Sequence, residues 1–365
     1  MHELLDRIGS AAERIRKLED NRERLGKFLR ASKDSVDMSG ADVLENELFK
    51  MVAPDPLRIR TVIGVDGGLS MHSYHGMDLI LTRAVATVFN YKDGKLGEVG
   101  YFPSSIVTPT LIIVADPYTD DEFSMSSSLE RQRGEVDLAT DAFKKFSPDV
   151  VFMDGSIVPH GNDRPAKSSP AWERYQNVIR SFNALYGISK TGLLAGCVED
   201  SRGRRFCEIA AERILGSIDN PRVPELRKIL EGTRDTNLLY HVLEKGERTC
   251  VFRYSKSPDE HQILADIGGA GKNIYCFYIK SAEFDRPVRV DFYAEKDVAA
   301  TADRIASLVL STACHSLYGI PTPIIEADFR AKLQERDADE LHDQLVDRIG
   351  ITPSLMKLRR EQRPF

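Results

Sequence analysis

The chain has few cysteines, and none of them lies in a spacing typical of a metal site. The five cysteines are scattered and odd in number: Cys197, Cys207, Cys250, Cys276 and Cys314. Because no Cys-x-x-Cys pair is present, the sequence argues against a zinc site or a disulfide framework and indicates a reducing compartment. Apolar runs of the roughly 20 residues that span a membrane are also absent, and the charged N-terminus resembles no signal peptide. We therefore expect a cytoplasmic protein without membrane association.

Several common catalytic motifs are missing as well. The sequence contains no Walker loop, no Gly-x-Gly-x-x-Gly after a strand, no His-Glu-x-x-His and no Gly-x-Ser-x-Gly, which argues against the enzyme classes that depend on them. A positive net charge is absent too: the formal charge is −6, whereas phosphate binding favours basic surfaces. Local fields nevertheless decide binding, and arginines cluster at residues 202–205 and at Arg286 and Arg289.

The composition is that of an ordinary globular protein. The 365 residues are 42% hydrophobic and 29% charged, which is enough for a large buried core. Residues 1 to about 50 repeat apolar side chains at helical spacing among many charges, a pattern that packs on the same domain or on a second copy. We predict an N-terminal helical and dimerisation segment at 1–52, a main domain at 53–335 and a charged tail at 336–365.

Two apolar, β-branched runs each end in an aspartate that is followed by glycine. The first run leads into Asp66 and the second into Asp154. A buried strand that stops at such a pair presents a carboxylate at the edge of a sheet, where the glycine lets backbone or ligand come close. Asp-Gly also starts ordinary turns, and at this stage both interpretations stay open. Two carboxylates brought together in this way suit a hard divalent cation and phosphoryl chemistry.

The order of the predicted elements indicates the fold class. They are strands at 61–66, 79–90 and 98–102, a helix at 125–146, a strand at 149–154, a helix at 170–185 and a strand at 191–198. Residues 90–94 have the composition of a hairpin turn. This order predicts an α/β, ribonuclease H-like mixed sheet flanked by helices, with an N-terminal helical extension. In such a fold an aspartate of the first strand faces an acidic residue on a neighbouring strand.

A two-metal centre requires three or four carboxylates, so two aspartates need further partners. The helix before Asp154 offers Glu130 and Glu135, which are five residues apart and therefore lie on different faces. We favour Glu135 as the ligand, with Glu130 as the alternative. Asp200 and Asp328, from later in the chain, are further candidates.

Seven short motifs occur in a specific order, although each of them alone is common. They are Val65-Asp66-Gly-Gly, an acidic helix at 129–137, Met153-Asp154-Gly-Ser, Val198-Glu-Asp-Ser-Arg202, Arg234-Asp-Thr-Asn-Leu-Leu239, Gly246-Glu-Arg-Thr-Cys-Val-Phe252 and Tyr318-Gly-Ile-Pro-Thr-Pro-Ile-Ile-Glu-Ala-Asp328. In this order the chain resembles the NurA nuclease family, whose members process DNA ends and have a ribonuclease H-like core. The resemblance runs from the N-terminus to about residue 333.

The resemblance implies a set of metal ligands. Asp66 and Asp154 match the strand aspartates of the family and Glu135 matches its helix glutamate. The metal position in the last helix, often a histidine in the family, corresponds here to Asp328, and a carboxylate is an acceptable ligand for manganese. Arg131, on the helix of Glu135, or its neighbour at position 133 would then steady the scissile phosphate.

The resemblance also implies activity and partners. Such enzymes are metal-dependent deoxyribonucleases that use Mn²⁺ (or Mg²⁺), digest single- and double-stranded DNA from 5′ to 3′ and cut single strands. They act in DNA end resection for recombinational repair, as homodimers docked on a hexameric HerA-type translocase. One departure is Glu199, where the family often has a lysine that would neutralise charge in the transition state. Such departures leave open a catalytically weakened docking partner of the translocase. The Asp-Gly phrases after strands leave open a second alternative, an actin-like or sugar-kinase-like ATPase, whose phosphate loops have the same pattern.

Overall fold

The structure is a computed structural model that describes residues 2–33, 38, 40–115, 118–217, 220–350 and 352–359. Its strands are β1 (Phe49–Met51), β2 (Ile59–Ser73), β3 (Asp78–Lys92), β4 (Lys95–Phe102), β5 (Thr110–Val114), β6 (Val150–Asp154), β7 (Leu193–Val198), β8 (Glu247–Thr249), β9 (Phe252–Arg253), β10 (Ile274–Ile279) and β11 (Val288–Tyr293). Its helices are α1 (His2–Ala31), α2 (Asp120–Phe146), α3 (Trp172–Ile188), α4 (Arg205–Ile209), α5 (Leu215–Ser217), α6 (Val223–Glu231), α7 (Asp235–Leu239), α8 (Gln262–Ile267), α9 (Val298–Thr312), α10 (Thr322–Ala331) and α11 (Glu335–Ile349). Within these described residues, every helix is too short or too polar to cross a membrane.

The chain forms two compact units, each built from three separate segments. The first unit comprises Met1–Asp55, Cys197–Ser257 and Asn273–Pro321, and the second comprises Pro56–Gly196, Pro258–Lys272 and Thr322–Phe365. The sequence-based division at residues 52 and 335 stays a prediction.

The second unit contains a mixed sheet with the strand order β7-β6-β2-β3-β4, and β5 also pairs with β3. Strands β2, β3 and β4 are antiparallel neighbours, whereas β6 runs parallel to β2. Helices α2 and α10 both pack on β2 and β3. The prediction of a ribonuclease H-like mixed sheet flanked by helices, with an N-terminal helix, is confirmed.

The hairpin between β3 and β4 turns at two residues with positive φ. Asp93 has φ 52° and Gly94 has φ 76°, as a two-residue type I′ turn requires. The predicted turn at 90–94 is therefore correct, and it fixes the register of the meander.

The predicted end of the first strand at Asp66 is wrong. Strand β2 continues to Ser73, and Asp66 pairs with Val85 in the middle of a long antiparallel ladder. The two following glycines lie within the strand rather than in a turn. At Asp154 the prediction is correct, because β6 ends there and Gly155 adopts φ 86°.

Helix α2 begins earlier than its apolar periodicity predicts. Its N-cap is Thr119, which forms a capping box with Glu122. The acidic side chains of the first turn interact favourably with the positive end of the helix dipole. At its other end the C-cap Ser147 is left-handed, with φ 45°, immediately before Pro148. Glu135 therefore lies near the middle of α2, which packs on β2 and β3.

The first unit contains an antiparallel sheet in the order β1-β8-β10-β11, with β9 on β10. Helix α1 contributes Leu25 and Leu29 to a core shared with α4, α6 and α7. The helical pattern predicted for the first 50 residues is too long, because α1 ends at Ala31 and residues 49–51 form a strand. Much of the predicted charged tail is helix α11 in the second unit, and residues 351 and 360–365 of that tail lie outside the described residues.

Candidate metal centre

Two of the predicted ligands, Asp66 and Asp154, lie on adjacent strands of the second unit. The parallel pairing of β2 with β6 ends with Val65 opposite Met153, so the next residue on each strand is one of the two aspartates. Opposite residues of paired strands face the same side of a sheet. Both aspartates therefore project from the same face.

Helix α10 brings Asp328 to this face because two glycines of β2 leave room for the helix backbone. A β-carbon on Gly64 would lie 2.2 Å from the carbonyl carbon of Pro323, and one on Gly68 would lie 2.0 Å from the carbonyl oxygen of Ala331. Since alternate residues of a strand share a face, these glycines flank the aspartate of β2 on the side that α10 covers. Asp328 lies on α10 between the two contacts.

The three aspartates form one cluster of oxygen donors. One carboxylate oxygen from each of Asp66, Asp154 and Asp328 lies within 4.8 Å of the corresponding oxygens of the other two. Asp66 is buried, Asp154 is partly buried and Asp328 is exposed. The cluster is therefore anchored in the sheet at one end and open to solvent at the other.

Glu135 reaches the same region from α2, on the other side of β2. A β-carbon on Gly67 would lie 2.5 Å from Oε1 of Glu135, so the missing side chain at this position leaves the space that the carboxylate occupies. Glu135 is 5% exposed and forms an ion pair with Arg131 one turn earlier on α2. Its charge interacts with the charges of Asp66 and Asp154, although it does not belong to the group defined by the 4.8 Å distances.

The carboxyl groups of the site have little compensating positive charge around them. Burial raises the pKa of Asp66, and the charge of Asp328 adds to this, although the Gly67 backbone N–H and Arg131 oppose it. Burial also raises the pKa of Glu135 to about 8, where Arg131 again opposes the shift and Asp66 adds to it. Closely spaced oxygen donors with so little compensating charge match the preferences of a hard divalent cation. The donor set present therefore fits Mn²⁺ or Mg²⁺.

Other candidates from the sequence have different surroundings. Glu130 faces α3, where its carboxylate lies 3.3 Å from Arg174, and it also pairs with Arg133 at 3.6 Å. Asp200 belongs to the first unit and lies 2.7 Å from Arg286. The geometry thus brings together the aspartates at 66, 154 and 328 and places Glu135 near two of them, Asp66 and Asp154. It gives Glu130 and Asp200 other partners.

Glu199, which stands where the NurA family often has lysine, also belongs to the first unit. Its carboxylate accepts a hydrogen bond of 2.5 Å from the hydroxyl of Tyr318. The carboxylate of Glu199 is thus held by a hydrogen bond within its own unit.

Sequence reasoning missed the part played by the glycines of β2. The Asp-Gly pair at 66–67 left open a turn or a close approach without identifying the approaching groups, and in the structure Gly67 and Gly68 provide space for Glu135 and for the end of α10. A signal was present: three glycines at 64, 67 and 68 interrupt a β-branched run, which indicates close approach of other groups to the strand.

Comparisons with known proteins agree with this geometry. The family model of the NurA domain matches residues 60–333, and no curated protein sequence matches the chain. The crystal structure of the NurA nuclease from Sulfolobus solfataricus is similar, with a TM-score of 0.57 at 15% identity, and the alignment covers 96% of this chain and 97% of that one.

Two further similar structures carry ligands. A crystal structure of NurA with manganese has a TM-score of 0.56 at 11% identity, with 94% of this chain and 99% of that chain covered. A crystal structure of NurA bound to dAMP and manganese has a TM-score of 0.55 at 11% identity, with 98% and 100% covered. Because the family model spans more than half of the sequence, the chain belongs to the NurA family.

Proposed function

We propose that this protein is a metal-dependent deoxyribonuclease that hydrolyses phosphodiester bonds. The observation that carries the proposal is the convergence of Asp66, Asp154 and Asp328 from two strands and a helix. Such a cluster has little value for stability, because like charges repel and burial of carboxylates is costly. Its arrangement is explained if the carboxylates hold a cation that acts on a phosphate.

The proposed metal is Mn²⁺ (or Mg²⁺), held by the three aspartates with Glu135 as a further ligand. A divalent cation bound there supplies Lewis-acid stabilisation of the charge that develops on phosphodiester oxygens and lowers the pKa of water. The solved NurA structures with manganese, and with dAMP and manganese, support this choice of cofactor and a nucleotide as product.

The side chains of the site have distinct tasks in this proposal. Asp66 and Asp154 are fixed by the paired strands and keep the site rigid, which favours precise placement of ligands. Asp328 is exposed and marks the side from which the substrate approaches. Arg131 has a side chain that is 31% exposed. One part of its guanidinium holds Glu135, and the remaining N–H groups donate to an oxygen of the scissile phosphate.

The finer activity and the partners follow the family resemblance. We propose 5′ to 3′ exonuclease activity on single- and double-stranded DNA and endonuclease activity on single strands, in DNA end resection with a HerA-type translocase. A homodimer is supported by an apolar stripe on α1 whose residues are 51–61% exposed: Leu4, Leu5, Ile8, Ile15 and Leu18. A second copy would cover this stripe, since exposed apolar faces of this kind mark interfaces.

Cleavage of end-labelled DNA tests the proposed activity. We expect the purified chain to degrade single- and double-stranded substrates with Mn²⁺, and EDTA to abolish the products because the carboxylates then lack their cation. A 5′ label should appear first in very short products if digestion starts from that end. Failure to cleave with Mn²⁺ or Mg²⁺, even with a HerA-type partner present, would contradict the proposal and favour the docking alternative. ATP hydrolysis in the same samples without DNA cleavage would favour the ATPase alternative.

A further inference from the structure

The first unit contains a polar cleft that the proposed catalytic site does not use. It has a volume of about 210 Å³. Six of its lining residues carry hydrogen-bond donors: Ser201, Arg202, Arg234, Thr236, Asn237 and Arg286. Two carboxylates, those of Glu199 and Asp200, also line it.

The acidic groups of this cleft are already engaged, whereas two of its arginines are not. Asp200 lies 2.7 Å from Arg286, and Glu199 accepts a hydrogen bond from Tyr318. Among the residues that the structure describes, Arg202 and Arg234 form no ion pair, and both are exposed. The cleft therefore presents two uncompensated guanidinium groups on a chain whose net charge is −6.

A buried framework holds the two arginine-bearing segments side by side. Asp235 is fully buried and accepts hydrogen bonds from the backbone N–H groups of Phe206 (3.0 Å) and Cys207 (2.8 Å) and from the hydroxyl of Tyr278 (2.9 Å). Its own backbone N–H donates to the carbonyl oxygen of Gly203 at 3.0 Å. Because Arg234 directly precedes this aspartate and Arg202 directly precedes this glycine, this hydrogen bond holds the backbone at Arg234 close to the backbone at Arg202.

A second set of contacts stabilises the same framework. The hydroxyl of Ser201 lies 3.3 Å from that of Tyr278 and accepts a hydrogen bond of 3.2 Å from the backbone N–H of Gly203. A β-carbon at Gly203 would lie 2.9 Å from the guanidinium of the partly buried Arg289. The loop before α4 is therefore closely packed, and Arg202 extends from a backbone that these contacts fix.

We propose that this cleft binds the phosphate groups of a nucleic-acid strand through Arg202 and Arg234. Guanidinium groups form bidentate, charge-assisted hydrogen bonds with phosphate oxygens, and the amide of Asn237 provides an additional donor. The inference deepens the proposed function, since it identifies a substrate-binding surface away from the carboxylates. The same chemistry suits internal phosphodiesters and a terminal phosphate, and the test separates these two sources.

The test is a binding titration of a short oligodeoxythymidylate that carries fluorescein at its 3′ end. Anisotropy is followed in EDTA, so that no cleavage occurs, for the wild type and for the double variant Arg202→Gln/Arg234→Gln. We expect the dissociation constant to rise about hundredfold, since each lost charged hydrogen bond corresponds to about a tenfold loss. The slope of log affinity against log salt should decrease by about 1.4, because two phosphate contacts to a single strand are lost.

The double variant Arg227→Gln/Arg304→Gln is the matched control. Both of these arginines belong to the first unit, are exposed and form no ion pair among the described residues, so the control removes the same charge elsewhere. We expect it to bind within about twofold of the wild type, as expected for surface charges without a specific contact. Unchanged midpoints of urea unfolding would show that both double variants fold normally.

Three outcomes concern the site itself. Equal affinity of the two double variants, or no binding by the wild type in EDTA, would overturn the inference whatever the cleavage assay shows. A loss of affinity confined to Arg202→Gln/Arg234→Gln would support the phosphate-binding cleft even if the wild type fails to cleave DNA. The binding result therefore stands or falls separately from the proposed nuclease activity.

A comparison of a 5′-phosphorylated with an unphosphorylated strand shows which kind of phosphate the cleft binds. Equal loss of affinity for both strands supports contacts to internal phosphodiesters. Loss confined to the phosphorylated strand supports capture of the terminal phosphate by the same arginines.

Discussion

Replacing Asp66 by asparagine is expected to lower the Mn²⁺-dependent cleavage rate by about a thousandfold or more. The substitution keeps the size of the side chain but removes the charge of the most buried aspartate in the cluster. Amide oxygens are weaker ligands for a hard cation than carboxylates, and the position is fixed within a strand, so no neighbouring group can move in to replace it. The rate is measured on end-labelled single-stranded DNA with saturating Mn²⁺.

The control for this substitution is Asp137→Asn on α2. Asp137 is exposed and lies two residues from Glu135, so the change removes one negative charge near the site without affecting a proposed ligand. We expect its cleavage rate to stay within about twofold of the wild type, because an exposed ion pair such as that of Asp137 with Arg133, at 3.9 Å, contributes little. Equal rates for Asp66→Asn and the wild type would contradict the assignment of Asp66 as a metal ligand.

Replacing Gly64 by alanine is expected to lower the free energy of unfolding by about 3 kcal/mol, at the upper end of the usual cost of overpacking. The added methyl would lie 2.2 Å from the carbonyl carbon of Pro323 and 2.6 Å from the backbone nitrogen of Ile324. These are backbone atoms, and the Pro323 carbonyl also accepts a hydrogen bond of 2.6 Å from Thr87. The start of α10 must therefore shift, and Asp328 with it.

Gly100→Ala is the matched control for this prediction, since Gly100 also lies in the meander, on β4. Its added methyl would meet only ordinary contacts, with the Val88 β-carbon 3.8 Å away, and alanine is easier to order in a strand than glycine. We expect a stability change of less than about 0.5 kcal/mol, measured by urea unfolding. Similar losses for both variants would show that α10 does not pack on β2 as described.

The sequence predicts the central elements of the second unit because local signals and tertiary packing agree there. The turn at Asp93 and Gly94 needs positive φ at both residues, and few residue types supply it. The run before Asp154 is short, β-branched and followed by a left-handed glycine, so its end is visible in the sequence. These features place one aspartate at the edge of the sheet and indicate the order of strands and helices.

Elsewhere, local signals are overridden by contacts between distant segments. The glycines after Asp66 left open a turn or a close approach, and only the tertiary packing identifies Glu135 and α10 as the groups that they admit. The predicted start of α2 at residue 125 falls inside the helix, where the hydroxyl of Ser127 donates to the carbonyl of Phe123 at 2.7 Å. The meeting of Asp328 with the strand aspartates depends on the packing of a helix from near the end of the chain. The residue pattern offered Asp328 only as a candidate beside Asp200, and the family resemblance singled it out.

Titration of the protein with Mn²⁺ is the decisive experiment for the proposed metal centre, because it measures occupation of the carboxylate cluster without requiring turnover. Free Mn²⁺ is followed by its solution electron paramagnetic resonance signal, which is lost on binding. We expect saturable binding by the wild type and by Asp137→Asn, with affinity reduced about tenfold or more in Asp66→Asn. Absence of binding by the wild type, or equal binding by Asp66→Asn, would contradict a metal centre at Asp66, Asp154 and Asp328.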